Sequence, residues 1–222
     1  MKKYEMLPTE ENIIETLYND PINRNKDIVY FYNILQAQES ASAIAIDGRW
    51  GSGKTFFVRQ TQMVINALNP SSTIDEETKA KATVRLPFSK NDEENENYSI
   101  AVYYDAWEND NDTEPVLSLI YEITKQISID FSLSDISIVK TAGAIIEAIS
   151  GHNVNGIKDA LTSEDPFKKF KEEKDVEQKI KDFFASILVE RGNRLIIFID
   201  ELDRCKPTFA VHLLEQIKHY IF

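Results

Sequence analysis

Two short runs carry residue types that can do chemistry together. The first is Gly48-Arg49-Trp50-Gly51-Ser52-Gly53-Lys54-Thr55; the second is Leu195-Ile196-Ile197-Phe198-Ile199-Asp200-Glu201-Leu202-Asp203-Arg204-Cys205. Gly48, Gly51 and Gly53 free the backbone to curl, so that successive N–H groups point at one anion. Lys54 then reaches the β- and γ-phosphates of a nucleotide, and the Thr55 hydroxyl helps to hold Mg²⁺. In the second run an apolar stretch ends in Asp200, an oxygen ligand suited to Mg²⁺ directly or through water. Glu201 follows it and is long enough to reach past the metal to an attacking water, with Asp203 as the rival for that role. One run supplies phosphate contacts and the other supplies metal and water chemistry, so together they imply a Mg-nucleotide site.

These groups work only if particular elements position them. Ala43-Ile44-Ala45-Ile46 reads as a short buried parallel strand running into Asp47-Gly48. From Lys54 to about Leu68 the spacing of Phe56, Phe57, Val64, Ile65 and Leu68 predicts a helix, whose N-terminal dipole favours phosphate. Strand before and helix after are the context that separates a phosphate loop from a glycine-rich turn. Leu195 to Ile199 predicts a strand buried on both faces, with Asp200 at its carboxyl end, where ligands bind in open α/β sheets. Ile100 to Tyr104 predicts a third strand.

Trp50-Gly51-Ser52-Gly53-Lys54-Thr55, Tyr103-Tyr104-Asp105-Ala106-Trp107 and Ile199-Asp200-Glu201-Leu202-Asp203-Arg204-Cys205 resemble, in that order, the motifs of the KAP family of P-loop NTPases. Asp20-Pro21-Ile22 and a helix from about Asp27 to Gln38 fit that family's lead-in, so the resemblance spans roughly residues 20 to 222. It implies an α/β, three-layer αβα P-loop fold with a mostly parallel sheet. It also implies ATP and Mg²⁺ as ligands, and the Walker A and Walker B elements of an ATPase. Gly48, Trp50, Gly51, Ser52, Gly53, Lys54 and Thr55 would then bind the nucleotide. Thr55 and Asp200 would hold Mg²⁺, while Lys54, Glu201 and Asp203 are the catalytic candidates. Hydrolysis would drive a conformational switch; bacterial members are associated with membranes or with phage exclusion.

The sequence departs from the family pattern in three places. Tyr104-Asp105 stands where the family has Phe-Asn. Asp105 reads as a polar strand terminus, the alternative being a group near the γ-phosphate. Glu201 replaces the second Asp of the acidic strand and keeps a carboxylate there. A P-loop core has about five parallel strands, and only three can be placed here, followed by Pro207 and an amphipathic stretch through Val211, Leu214, Ile217 and Ile221. The expected domain is therefore a single one over residues 1–222, incomplete at its C-terminus, with a helical insertion at about 132–165. Neither the γ-phosphate-sensing strand nor a transition-state arginine is found; Arg194 and Arg204 flank the acidic strand and do not obviously substitute. Binding is better supported than turnover, which requires completion by further chain or by a partner, including a second copy. Two other classes stay open: a non-catalytic nucleotide-binding or interaction fragment, and a small-molecule P-loop kinase, which would need an arginine-rich lid and an acceptor pocket.

The rest of the chain bounds these readings. With 222 residues, 42% hydrophobic, it suits one α/β domain with a workable core. A net charge of −12 argues against a nucleic-acid surface. Cys205, the lone cysteine, excludes an intramolecular disulfide and fits a reducing, cytoplasmic setting; it reads as packing behind the strand rather than as a nucleophile. Met1-Lys2-Lys3 is followed by Glu5, Glu10 and Glu11, which does not make a signal peptide, and no run reaches the length of a spanning helix. Ile138, Val139, Ala142, Ile145, Ile146 and Ile149 form a helical stripe, read as part of a hairpin packing on the core, with a membrane-surface or partner-binding helix as the alternative. Residues 69–97 read as a polar surface insertion with one possible strand, Ala82 to Leu86, and residues 163–181 as a solvated helix face. His152, His212 and His219 have no metal-ligand companions in the sequence.

Overall fold

The structure, a computed structural model, describes residues 6–88, 98–130, 141–146, 148 and 168–221. Local signals set most element boundaries. Thr9 precedes α1 (Glu10–Asn19) and its hydroxyl accepts the Asn12 N–H, while Asp20 ends the helix in the left-handed region at φ 43°. α2 spans Asn25–Gln36. α3 spans Lys54–Leu68 and follows Gly53 at φ 83°, with no side-chain cap. Asp75 caps α4 (Glu76–Thr83) by accepting the Thr78 N–H. Then come β1 (Ser99–Asp105), α5 (Pro115–Asp130), α6 (Lys168–Arg191), β2 (Arg194–Asp200), a 3-10 turn at Leu202–Arg204 and α7 (Pro207–Ile221). None of the described helices is long and apolar enough to cross a membrane.

β1 and β2 pair in parallel, in register from Ser99 with Arg194 to Asp105 with Asp200. Alternation sends their side chains to two cores. Ile100, Val102 and Tyr104 join Leu195, Ile197 and Ile199 against α5, α6 and α7, through Leu119, Ile123, Phe183 and Leu213. On the other face Ala101, Ile196 and Phe198 meet Phe31 and Leu35 of α2 and Val58 and Ile65 of α3. Helices thus cover both faces of this small sheet. Each large aliphatic side chain so buried is worth roughly 1.5–3 kcal/mol over leaving it exposed.

The strand predicted at Ala43–Ile46 is not formed. Residues 41–45 are exposed, Ile44 by 42%, and only Ile46 touches a core. A strand is stabilised by its ladder, and among the described residues this segment has no ladder partner. The strand suggested at Ala82–Leu86 is instead the end of α4 and the turn after it. Ala82 and Leu86 are buried against α1 and α3, so this part of the insertion is core rather than surface. The helix read at residues 27–38 lies at Asn25–Gln36, and the helical stretch read in residues 163–181 runs on to Arg191. Of the insertion expected at 132–165, only residues 141–146 and 148 are described. Ala142 and Ile145 pack into the core with α5 and α6, and the remainder lies outside the described residues.

The two edges of the sheet differ. Along β1, the residues whose backbone groups point away from β2 are met by side-chain amides. Asn69 Nδ2 donates to Ser99 O (3.0 Å). Asn66 both donates to Ala101 O and accepts from Ala101 N–H, at 2.9 Å each way. Gln126 of α5 does the same for Tyr103, at 2.6 and 2.9 Å. These amides close the edge of a strand that would otherwise leave buried polar groups unpaired. The Ala106 N–H bonds to Asp200 O, so Leu195, Ile197 and Ile199 turn their backbone groups to the far side of β2, where no described residue bonds them. Asn66→Ala would leave the N–H of the fully buried Ala101 without a partner and its carbonyl with only the 3.5 Å contact from Gln62 Nε2. We expect it to lower stability by about 3 kcal/mol in urea denaturation.

Candidate functional site

The glycine loop is built by its own hydrogen bonds. Ser52 N–H closes a turn onto Arg49 O, and Gly51 and Gly53 take φ values of 74° and 83° that side chains rarely adopt. Because Gly53 offers no capping side chain, the first N–H groups of α3 are left to an external acceptor. The Lys54 ammonium donates across the loop to Gly48 O at 2.8 Å. Trp50 stands at the tip, 79% exposed.

β2 delivers Asp200 to this loop. The Thr55 hydroxyl donates to Asp200 Oδ2 at 2.7 Å, joining the two sequence runs into one site. The Tyr103 hydroxyl, from β1, donates to the same oxygen at 3.2 Å, and Glu201 N–H holds Oδ1 at 2.9 Å. A hydroxyl and a carboxylate oxygen converging this way are a donor set for a hard cation. Among the described residues there is no cluster of three or more His, Cys, Asp or Glu side chains that could hold a metal alone. The loop, Asp200, Glu201, Asp203 and Asp105 all line one cavity of about 1270 Å³, which extends to Met6, Leu7 and Ile22 at the lead-in.

The two candidate bases are placed differently. Glu201 sits in the left-handed region at φ 56°, and its carboxylate pairs with the Arg204 guanidinium, which lies over the Trp107 ring at 5.5 Å. Burial raises the Glu201 pKa, Arg204 opposes the rise, and the negative charges of Asp200, Asp105 and Asp203 add to it. Asp203 is exposed. Asp105 accepts the Glu108 N–H at 3.0 Å and so ends its strand in a local turn. Burial and the nearby carboxylates of Asp200 and Asp105 push the Tyr103 phenol well above its ordinary range, so it stays a donor. Cys205 is buried behind the sheet, its thiol raised by burial and set against Glu201 O. Arg194 is far from this chemistry: its guanidinium binds the carbonyls of Leu35 and Gln38.

Three participants were missed in the sequence. Tyr103 contacts Asp200, Arg59 lies over the Tyr103 ring at 4.6 Å while lining the cavity, and Arg24 reaches the loop from the lead-in. The helical spacing of Thr55 and Arg59 (i, i+4) was a usable signal for Arg59. Strand alternation was one for Tyr103, since it shares a face with Asp105. Nothing local announces Arg24.

A glycine loop opening a helix, set against an acid-tipped parallel strand, defines a P-loop domain. The chain belongs to the KAP family: the family's P-loop domain model matches residues 24–222, which places it among nucleotide-binding NTPases at the level of the family. No curated protein and no solved structure gave a significant match. Tyr103→Phe removes one of the two hydroxyl donors on Asp200 Oδ2. It should cost about 1–2 kcal/mol in chemical denaturation while leaving the strand pairing intact by circular dichroism.

Proposed function

We propose that this chain is a Mg-ATP-binding domain that hydrolyses ATP to drive a conformational switch. The observation that carries the reading is the 2.7 Å contact between Thr55 and Asp200, facing the uncapped start of α3. In this scheme the loop N–H groups and Lys54 take the β- and γ-phosphates, while Gly48, Trp50, Gly51, Ser52 and Gly53 shape the loop around them. Mg²⁺ held by Thr55 and Asp200 would neutralise charge building on the phosphate oxygens. Glu201, once released from Arg204, orients the attacking water, with Asp203 as the alternative base. Phosphoryl transfer needs positioning and charge neutralisation more than covalent chemistry, and these residue types supply both.

The complete fold in this proposal is the three-layer αβα P-loop architecture, a single domain over residues 1–222 with a helical insertion at about 132–165. Helices on both faces of the sheet support it, as does the open outer edge of β2, which further chain or a partner would extend. The net charge of −12 fits a partner other than nucleic acid. A second reading, a nucleotide-binding module without turnover, is favoured by the Glu201–Arg204 pair, which occupies the candidate base.

Titration calorimetry with Mg-ATP, alongside phosphate release, tests both. Wild-type chain should bind and Lys54→Ala should weaken binding at least ~100-fold, since it removes a charge-assisted phosphate contact. Phosphate release that falls in Glu201→Gln with binding kept supports hydrolysis and names the base; loss in Asp203→Asn alone names the rival. Binding with no release by any variant favours the non-catalytic module, and no binding by folded wild type overturns the nucleotide reading. For the cellular role that the resemblance implies, phage exclusion, plaque counts on bacteria carrying wild type should fall below those carrying Lys54→Ala.

A further inference from the structure

We infer that Arg24 is a positioning residue of the phosphate loop, bracing its peptide groups from behind so that their N–H groups face the anion. The inference rests on the nucleotide reading above. The Arg24 guanidinium donates to Gly53 O at 3.0 Å and to Ser52 O at 3.1 Å. A trans peptide is planar, so its C=O and N–H point in opposite directions. The Ser52 carbonyl belongs to the peptide that carries the Gly53 N–H, and the Gly53 carbonyl to the one that carries the Lys54 N–H. Holding the two oxygens on one side therefore turns the Gly53 and Lys54 N–H groups to the other side, the side from which a phosphate approaches.

The fork geometry matters as well as the charge. Two neighbouring carbonyls are met by two nitrogens of one rigid guanidinium, which an ammonium cannot reproduce. Gly53 O also accepts the Phe57 N–H at 3.0 Å, so Arg24 uses its second lone pair and leaves α3 undisturbed. A Cβ on Gly53 would come within 3.0 Å of Arg24 Nη1. A side chain there would therefore crowd the guanidinium as well as strain the backbone at φ 83°.

Arg24 is itself aimed. Asp20, in the left-handed region after α1, accepts the Arg24 N–H at 2.7 Å and the Asn25 N–H at 3.2 Å. That fixes the backbone from which the side chain reaches across the loop, with its guanidinium carbon 5.8 Å from the Phe57 ring centroid. Among the described residues no carboxylate pairs with Arg24. Its hydrogen bonds go to the loop, which is what a brace requires and what a surface ion pair does not explain.

Tripolyphosphate isolates the anion contacts from those of the base and sugar. Arg24→Ala should weaken tripolyphosphate and Mg-ATP by the same factor, about tenfold, and Arg24→Lys by an intermediate factor, because one carbonyl keeps a partner. Ligand-free unfolding midpoints of wild type and Arg24→Lys should agree, while the rise in midpoint on adding tripolyphosphate shrinks in the variant. Variants that bind tripolyphosphate as wild type does overturn the inference, as does a variant that loses Mg-ATP while keeping tripolyphosphate. Should Arg24→Ala not fold, Arg24→Lys decides alone: wild-type affinity in that variant means the fork is not needed. A folded wild type that takes up neither probe refutes the nucleotide reading and removes the brace's role with it.

Discussion

Buried backbone must find hydrogen-bond partners, and in this protein that requirement organises the site. Among the described residues β1 has a strand on one side only. On its other side the amides of Asn66, Asn69 and Gln126 stand in for a ladder. Because Asn66 and Asn69 belong to α3 and the turn that follows it, satisfying β1 also fixes α3 against the sheet. The other end of α3 is the phosphate loop. The parallel register of β1 and β2 then sets Asp200 beside the first turn of α3, where Thr55 meets it. The geometry of the candidate metal pair is thus a consequence of how an edge strand is closed some three turns away.

The same accounting shows which backbone is left without partners among the described residues. The far edge of β2 and the backbone of residues 41–47, which form no regular element, have no ladder partners among the described residues. Arg194 ties the end of α2 to the start of β2, and Thr55 ties the start of α3 to its end. The segment leading into the loop is therefore anchored at both ends while its middle makes no ladder. A phosphate loop so supported depends on contacts other than a preceding strand. The guanidinium of Arg24 is one of them, and the Lys54–Gly48 contact is another.

Electrostatics divide the site into two halves. The loop side has Lys54, Arg24 and the α3 dipole, which favour a polyanion. The strand side gathers Asp105, Asp200, Glu201 and Asp203; burial raises Glu201, Arg204 opposes the rise, and the neighbouring carboxylates add to it. A polyanion brought to such carboxylates needs a cation between them, which is the physical reason a metal belongs in the proposal. The Glu201–Arg204 pair then has two aspects. It lowers the cost of burying Glu201, and it occupies the side chain proposed above to orient water.

Much of this was legible in residue order. Glycine spacing, the Lys54-Thr55 pair and the apolar run into Asp200 dictated the loop, its helix and the acidic strand, because backbone freedom and side-chain periodicity are local properties. The α3 limits came out at Lys54 and Leu68 as read. Whether Ala43–Ile46 forms a strand was not local: four consecutive apolar residues make a strand only when other backbone pairs with them. Ala82–Leu86 failed for a related reason, since its apolar residues serve a helix end and turn packed on α1 and α3. Arg24 was also beyond the sequence, because a hydrogen bond across dozens of residues leaves no mark in spacing. The sequence alone determined which groups could bind phosphate and metal. Tertiary structure decided which of them meet, since only folding brings a hydroxyl at 55 within 2.7 Å of a carboxylate at 200.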